Sequence, residues 1–238
     1  MVLPADLRAA EAQALAALVQ ALGARAGGRW TVELRFEGLR LLPVALRLLN
    51  ALNRVEPRAT LVFTDAGAAA LARRDAPDQA DRLTSLSDRQ RLQRRAAETG
   101  DAAADDGVLV LAAPSQAEYS EVEEICQAHR GAVVLLNGRL EDAAIGIGSV
   151  ARERRRGFLA TWESAYALIP RGASALRRSF PDSWELYRQD PDGFRLASRF
   201  ETKPDPEEID QALAAEGQGL DVAAGLGALD RFIEGLRN

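Results

Sequence analysis

Val108–Leu136 reads VLVLAAPSQAEYSEVEEICQAHRGAVVLL, and its texture changes twice along the way. Val108–Ala113 is a continuous apolar run, the pattern of a strand buried on both faces. Ser115 and Glu118 then have the spacing of a capping box, in which two side chains satisfy a helix's first free N–H groups. Behind them Tyr119, Val122, Cys126 and His129 recur on one helical face, and Gly131 stops the helix. Ala132–Leu136 is a second buried run. Strand, helix and strand in that order predict parallel pairing.

The same alternation extends upstream. Ala5–Ala26 places Leu7, Leu15, Leu18, Val19 and Leu22 near one helical face. Trp30–Phe36 (WTVELRF) alternates like a strand. Leu39–Leu52 is an amphipathic helix whose regular part starts at Pro43, Ala59–Thr64 (ATLVFT) is another buried run, and Ala66–Arg74 is an Ala-rich helix. The expectation is an α/β fold of three layers with a mainly parallel central sheet. Asp75–Asp106 is polar and low in aromatics, and is expected to be a surface excursion holding a loose helix around Arg89–Glu98.

Downstream of Gly148 the pattern changes. A basic helix is expected from about Val150 to Trp162, then alternating segments at Ser164–Ile169, Trp184–Arg188 and Phe194–Phe200. The turn signal Gln189–Gly193 (QDPDG) pairs the last two as an antiparallel C-terminal hairpin. Residues 1–204 are thus expected as one α/β domain and 205–238 as a helical extension. That extension opens with Asp205 as cap, Pro206 at the first helical position and Glu208 at the third. A linker, Gly217–Gly225, leads to a last helix with Leu226, Leu229, Phe232, Ile233 and Leu236 on one stripe.

Composition narrows the function classes. The 238 residues are 47% hydrophobic, enough for a core that needs no disulfide or metal. Cys126 is the only cysteine, which points to a reducing compartment. The first residues show neither a secretory nor a transit pattern, and no run reaches the roughly 20 apolar residues of a membrane span. A cytoplasmic chain with at most peripheral membrane contact is expected. The net charge of −5 argues against a general nucleic-acid binder.

Few residues are placed for chemistry. Asp65 and Asn137 lie just past the carboxyl ends of two expected strands, where open parallel sheets bind ligands. They would hold a hydroxyl, a phosphate or a hydrated cation; equally, Asp65 serves as an N-cap and Asn137 as a turn residue. Gly146, Gly148 and Arg152 open the basic helix, and glycine N–H groups at a helix start favour an anion. Only GxG is present, short of a dinucleotide fingerprint, and the arginines fit a solvated face as well.

His129 and Cys126 are expected as packing residues, since no nucleophile motif accompanies them. One histidine and one cysteine do not make a four-ligand zinc site. No phosphate-binding Walker loop precedes Lys203. No cofactor or metal is expected. Arg155, Arg156, Trp162, Tyr166, Arg178 and Trp184 mix arginine with aromatics, the composition of core packing or of a protein-docking patch.

Several segments also occur in a characteristic order. They are Leu3-Pro4, Thr31–Glu33, Phe63–Arg73 (FTDAGAAALAR), Val110–Pro114, Leu135–Asn137, Gly146–Gly148, Arg155–Leu159 (RRGFL), Tyr166–Leu168 and Phe180–Trp184 (FPDSW). This order, from about Leu3 to Pro204, resembles a domain family of cyanobacteria and plastids. Its plant members include a low-photosystem-II-accumulation factor, and the domain also occurs joined to a plastid adenylate kinase. The resemblance implies a non-enzymatic accessory protein that binds a photosystem II subunit or assembly factor, with peripheral thylakoid contact. The competing expectation is a small-molecule binder or enzyme for a nucleotide or sugar phosphate at the strand-end crevice.

Overall fold

Apolar runs that alternate with amphipathic helices condense here into parallel strands, and the alternating segments downstream into antiparallel ones. The computed structural model describes residues 3–99 and 107–216. These divide into two compact units, one of residues 21–32 and 41–163, the other of residues 3–20, 33–40 and 164–216.

In the first unit the strands are β1 (Arg29–Leu34, whose last two residues fall in the other unit), β2 (Thr60–Phe63), β3 (Leu83–Ser85), β4 (Leu109–Ala112) and β5 (Val133–Leu136). They are all parallel, in the order β3-β2-β4-β5-β1. The register sets Leu109 beside Val133 and Leu111 beside Leu135. These four pack on Tyr119, Val122, Ile125 and Cys126 of the helix Tyr119–Ala128. Val110, Ala112, Val134 and Leu136 point to the opposite face and are equally buried. A strand buried on both faces needs cover on both, which explains the unbroken apolar runs and gives the three layers.

The helices follow in chain order: α1 (Leu7–Ala24), α2 (Leu41–Leu52), α3 (Ala66–Asp75), α4 (Leu86–Thr99), α5 (Tyr119–Ala128), α6 (Ser149–Arg156) and α7 (Pro206–Glu216). Capping fixes where several begin. Ala68 N–H donates to Asp65 Oδ1 at 2.8 Å, so Asp65 is the N-cap of α3. Ser115 and Glu118 form the reciprocal box, with Ser115 N–H donating to Glu118 Oε2 at 2.7 Å. Asp205 and Glu208 repeat it before α7.

The second unit carries the antiparallel strands β6 (Trp162–Arg171, whose first two residues fall in the other unit), β7 (Ser174–Ser179), β8 (Trp184–Asp190) and β9 (Gly193–Phe200), in that order. Gly193 at φ +135° turns the β8–β9 hairpin, where glycine alone is comfortable. One face packs Ala167, Leu176, Trp184 and Leu186 against Ile209 of α7. Arg35 N–H donates to the Leu168 carbonyl at 3.0 Å and continues the pairing of this unit past β1.

Two strands depart from the sequence expectation. Residues 75–106 were expected as an excursion, yet Leu83–Ser85 pairs with β2 as an edge strand. Three residues are too few to display a period of two. β7 was also missed, because Arg177 and Arg178 make SALRRS look polar although both are buried. The expected linker and final helix of residues 217–238 lie outside the described residues.

Candidate functional site

The connections around the parallel sheet locate its ligand-prone edge. From β2 the chain moves outward to β3, whereas from β4 it moves the other way to β5. With right-handed crossovers, α3 and α5 then leave on opposite faces, and the carboxyl ends of β2 and β4 form the topological switch point, where open α/β sheets bind ligands. Asp65 flanks it on one side. On the other side Ala113 holds φ at 49°, in the left-handed region that costs an L residue roughly 1–2 kcal/mol. Its N–H is held by the Leu136 carbonyl at 2.8 Å. Asn137 follows β5, one strand further, also at positive φ (52°), with its N–H on the Val32 carbonyl at 2.9 Å. Asp65 and Asn137 therefore share one edge but stand two strand spacings apart, about 10 Å.

Gly146, Gly148 and Arg152 belong to a different feature, the exposed loop into α6. Its four arginines divide into two pairs. Arg154 lies 4.4 Å over the Tyr119 ring and donates to the Ala143 carbonyl at 2.8 Å. Arg155 donates to the carbonyls of Ala144 and Gly146. Both fold back and brace the loop. Arg152 and Arg156, one turn apart, stay exposed. Gly146 at φ +114° gives the loop its bend. The braced loop presents Ile145 at 77%, Ile147 at 93% and Val150 at 60% exposure, three aliphatic side chains within six residues of chain.

The expected arginine–aromatic patch does not survive as one surface. Tyr166 is fully buried, and its hydroxyl donates to Gln13 Oε1 at 3.3 Å. Trp184 is in the core against α7, with Lys203 Nζ 5.5 Å from its ring. Arg178 is buried, donating to the Pro181 carbonyl at 3.3 Å. Trp162 is half-buried, edge-on to Phe158 at 5.7 Å. Burial of large rings explains the loss. Of that set only Arg155 and Arg156 are exposed.

Sequence reasoning missed a buried polar network in the antiparallel unit. Arg177 donates to Glu185 Oε2 at 2.8 Å, and Tyr187 Oη donates to the same oxygen at 2.8 Å. Arg199 reaches Glu185 Oε1 at 3.4 Å, and Arg177 Nε reaches Gln13 at 3.4 Å. Burial pushes the Tyr166 and Tyr187 hydroxyls up to about 12, the Glu185 charge adding to the latter. Both stay protonated donors. The signal available was the i, i+2 spacing of Glu185 and Tyr187 on one strand face.

His129 is buried between the Gly107 carbonyl, 2.9 Å from Nε2, and an Arg89 nitrogen, 3.2 Å from Nδ1. A guanidinium only donates, so Nδ1 accepts and Nε2 carries the proton. Burial pushes the neighbouring Cys126 thiol up to about 12. Cys126 packs in the apolar cluster of β4, β5 and α5. Among the described residues, no three His, Cys, Asp or Glu side chains gather as metal ligands, and no helix is long and apolar enough to cross a membrane.

The architecture and its surface define an α/β protein with parallel strands in one unit, antiparallel strands in the other, and an exposed aliphatic–arginine segment ahead of β6. The chain belongs to the family described as Domain of unknown function (DUF1995), whose model matches residues 4–211. No curated protein matches it.

Proposed function

We propose that this chain is a non-enzymatic accessory protein in the assembly or accumulation of photosystem II, binding a subunit or assembly factor. The observation that carries a binding role is the surface Ile145–Arg156, where aliphatic side chains are held out to solvent beside two outward arginines. Contiguous exposed apolar groups rimmed by charge mark contact surfaces in water-soluble folds. The order of motifs from Leu3 to Trp184 supports the photosynthetic setting, with the chain working in the cytoplasm at the thylakoid surface. The test is co-precipitation of the tagged chain from photosynthetic cells. Wild type recovers a photosystem II subunit or assembly factor; recovery of neither overturns the role.

The left-handed backbone at Ala113 favours a second reading. Strain of this kind gathers at ligand sites, and Ala113 stands at the switch point beyond β2 and β4. A nucleotide or sugar phosphate is the ligand class considered. A ligand at 100 times its dissociation constant stabilises a fold by about 2.7 kcal/mol, so a thermal-shift screen decides. No shift at millimolar concentrations removes this reading.

A further inference from the structure

We infer that the segment Ile145–Arg156 is a peripheral contact for an anionic lipid bilayer. This deepens the binding role proposed above and rests on it only in taking the segment as a contact surface. Ile147 is 93% exposed at the tip of a loop, with Ile145 and Val150 beside it at 77% and 60%. An isoleucine held this far into water gains by entering the boundary between headgroups and acyl chains. Arg154 and Arg155 donate to the Ala143, Ala144 and Gly146 carbonyls, which ties the backbone on both sides of Ile145 to α6. The three aliphatic side chains stand away from the domain.

Charge selects the occupant. Arg152 and Arg156 are exposed, one turn apart, and neither is engaged within the described residues. Lipid phosphates supply the matching negative charge, and each arginine near an anionic surface strengthens attachment severalfold. The segment holds one acidic residue, Glu153, against four arginines, in a chain whose net charge is −5. The attraction is local to this edge. Three aliphatic groups and two cations give a weak, reversible attachment, well short of insertion.

The test is co-sedimentation of the full chain with vesicles of phosphatidylcholine plus phosphatidylglycerol, and with phosphatidylcholine alone. Wild type should partition onto the anionic vesicles, with Ile147→Asp and the double variant R152E/R156E each weaker by about tenfold or more. All of these positions are exposed, and circular dichroism checks that the variants stay folded. No sedimentation with anionic vesicles overturns the inference, as does binding that both variants leave unchanged. Equal binding to both vesicle types also overturns it. If wild type ignores both vesicles while R152E/R156E loses a photosystem partner in co-precipitation, the surface belongs to a protein and the accessory role stands. If vesicles bind as expected and no photosystem partner is recovered, the lipid contact stands and the accessory role falls.

Discussion

At the residue scale, Arg177 shows how a charge survives inside a sheet. It is 1% exposed and pairs with Glu185, which is 5% exposed. Two ions leave water together only when geometry and extra hydrogen bonds offset the desolvation, here through Tyr187, Gln13 and Arg199. Arg177→Ala removes the buried counter-charge of Glu185, leaving Tyr187 and the exposed Arg199, and should cost about 3–5 kcal/mol in urea unfolding. The double variant R177M/E185L should recover much of that loss, since an apolar pair of similar volume avoids a buried carboxylate without its buried counter-charge. Cys126 offers a simpler check. With its thiol pushed up to about 12 by burial, it should resist a thiol reagent at pH 8 and react at the rate of global opening. Rapid labelling of the native protein would show that the site is open.

Elements begin and end where side chains occupy the free backbone groups. Ser115→Ala removes one half of the box before α5 and should lower stability by about 1 kcal/mol, read as a shift in urea midpoint. The β4 entry is tighter. A Cβ on Gly107 would fall inside contact distance of the Arg58 carbonyl oxygen, while the Gly107 carbonyl receives His129 Nε2 at 2.9 Å. Gly107→Ala should therefore cost about 1–3 kcal/mol through overpacking, and an unchanged melting temperature would contradict that packing.

Most elements were legible because their signals are local. Ser115 with Glu118, Asp205 with Glu208, and the turn Gln189–Gly193 each sit within a few residues of the structure they set. Strands β3 and β7 were not legible. Leu83–Ser85 is defined by its pairing with β2, and Arg177 is buried because Glu185 of β8 meets it.

At the scale of the whole molecule, the Glu185 network ties stability to pH. Burial alone would raise the Glu185 pKa. Hydrogen bonds from Tyr187 and Arg177, with the Arg177 charge, outweigh it and hold the carboxyl below its usual 4.5. A depressed folded-state value means this contribution is complete above the unfolded value and disappears as pH falls through the folded one. Urea midpoints should thus decline below about pH 5, and Glu185→Gln should flatten that decline. Equal acid sensitivity in wild type and variant would separate the network from acid unfolding.

The candidate sites divide along the same line as the strands. Asp65 and Asn137 were legible as strand-end residues, since position after an apolar run is a property of the chain. Which pair of strands forms the switch point was not, because that depends on strand order, and the order brings Ala113 rather than Asn137 opposite Asp65. The arginines of α6 were legible as a basic helix, yet only contacts with Tyr119 and three carbonyls separate the bracing pair from the outward pair. Periodicity and capping, which act over one or two turns, determined the layered α/β architecture. Burial of Tyr166 and Trp184, the Arg177–Glu185 pairing and the exposure of Ile147 were decided by tertiary structure. Each of these depends on what residues distant in sequence leave covered or open to water.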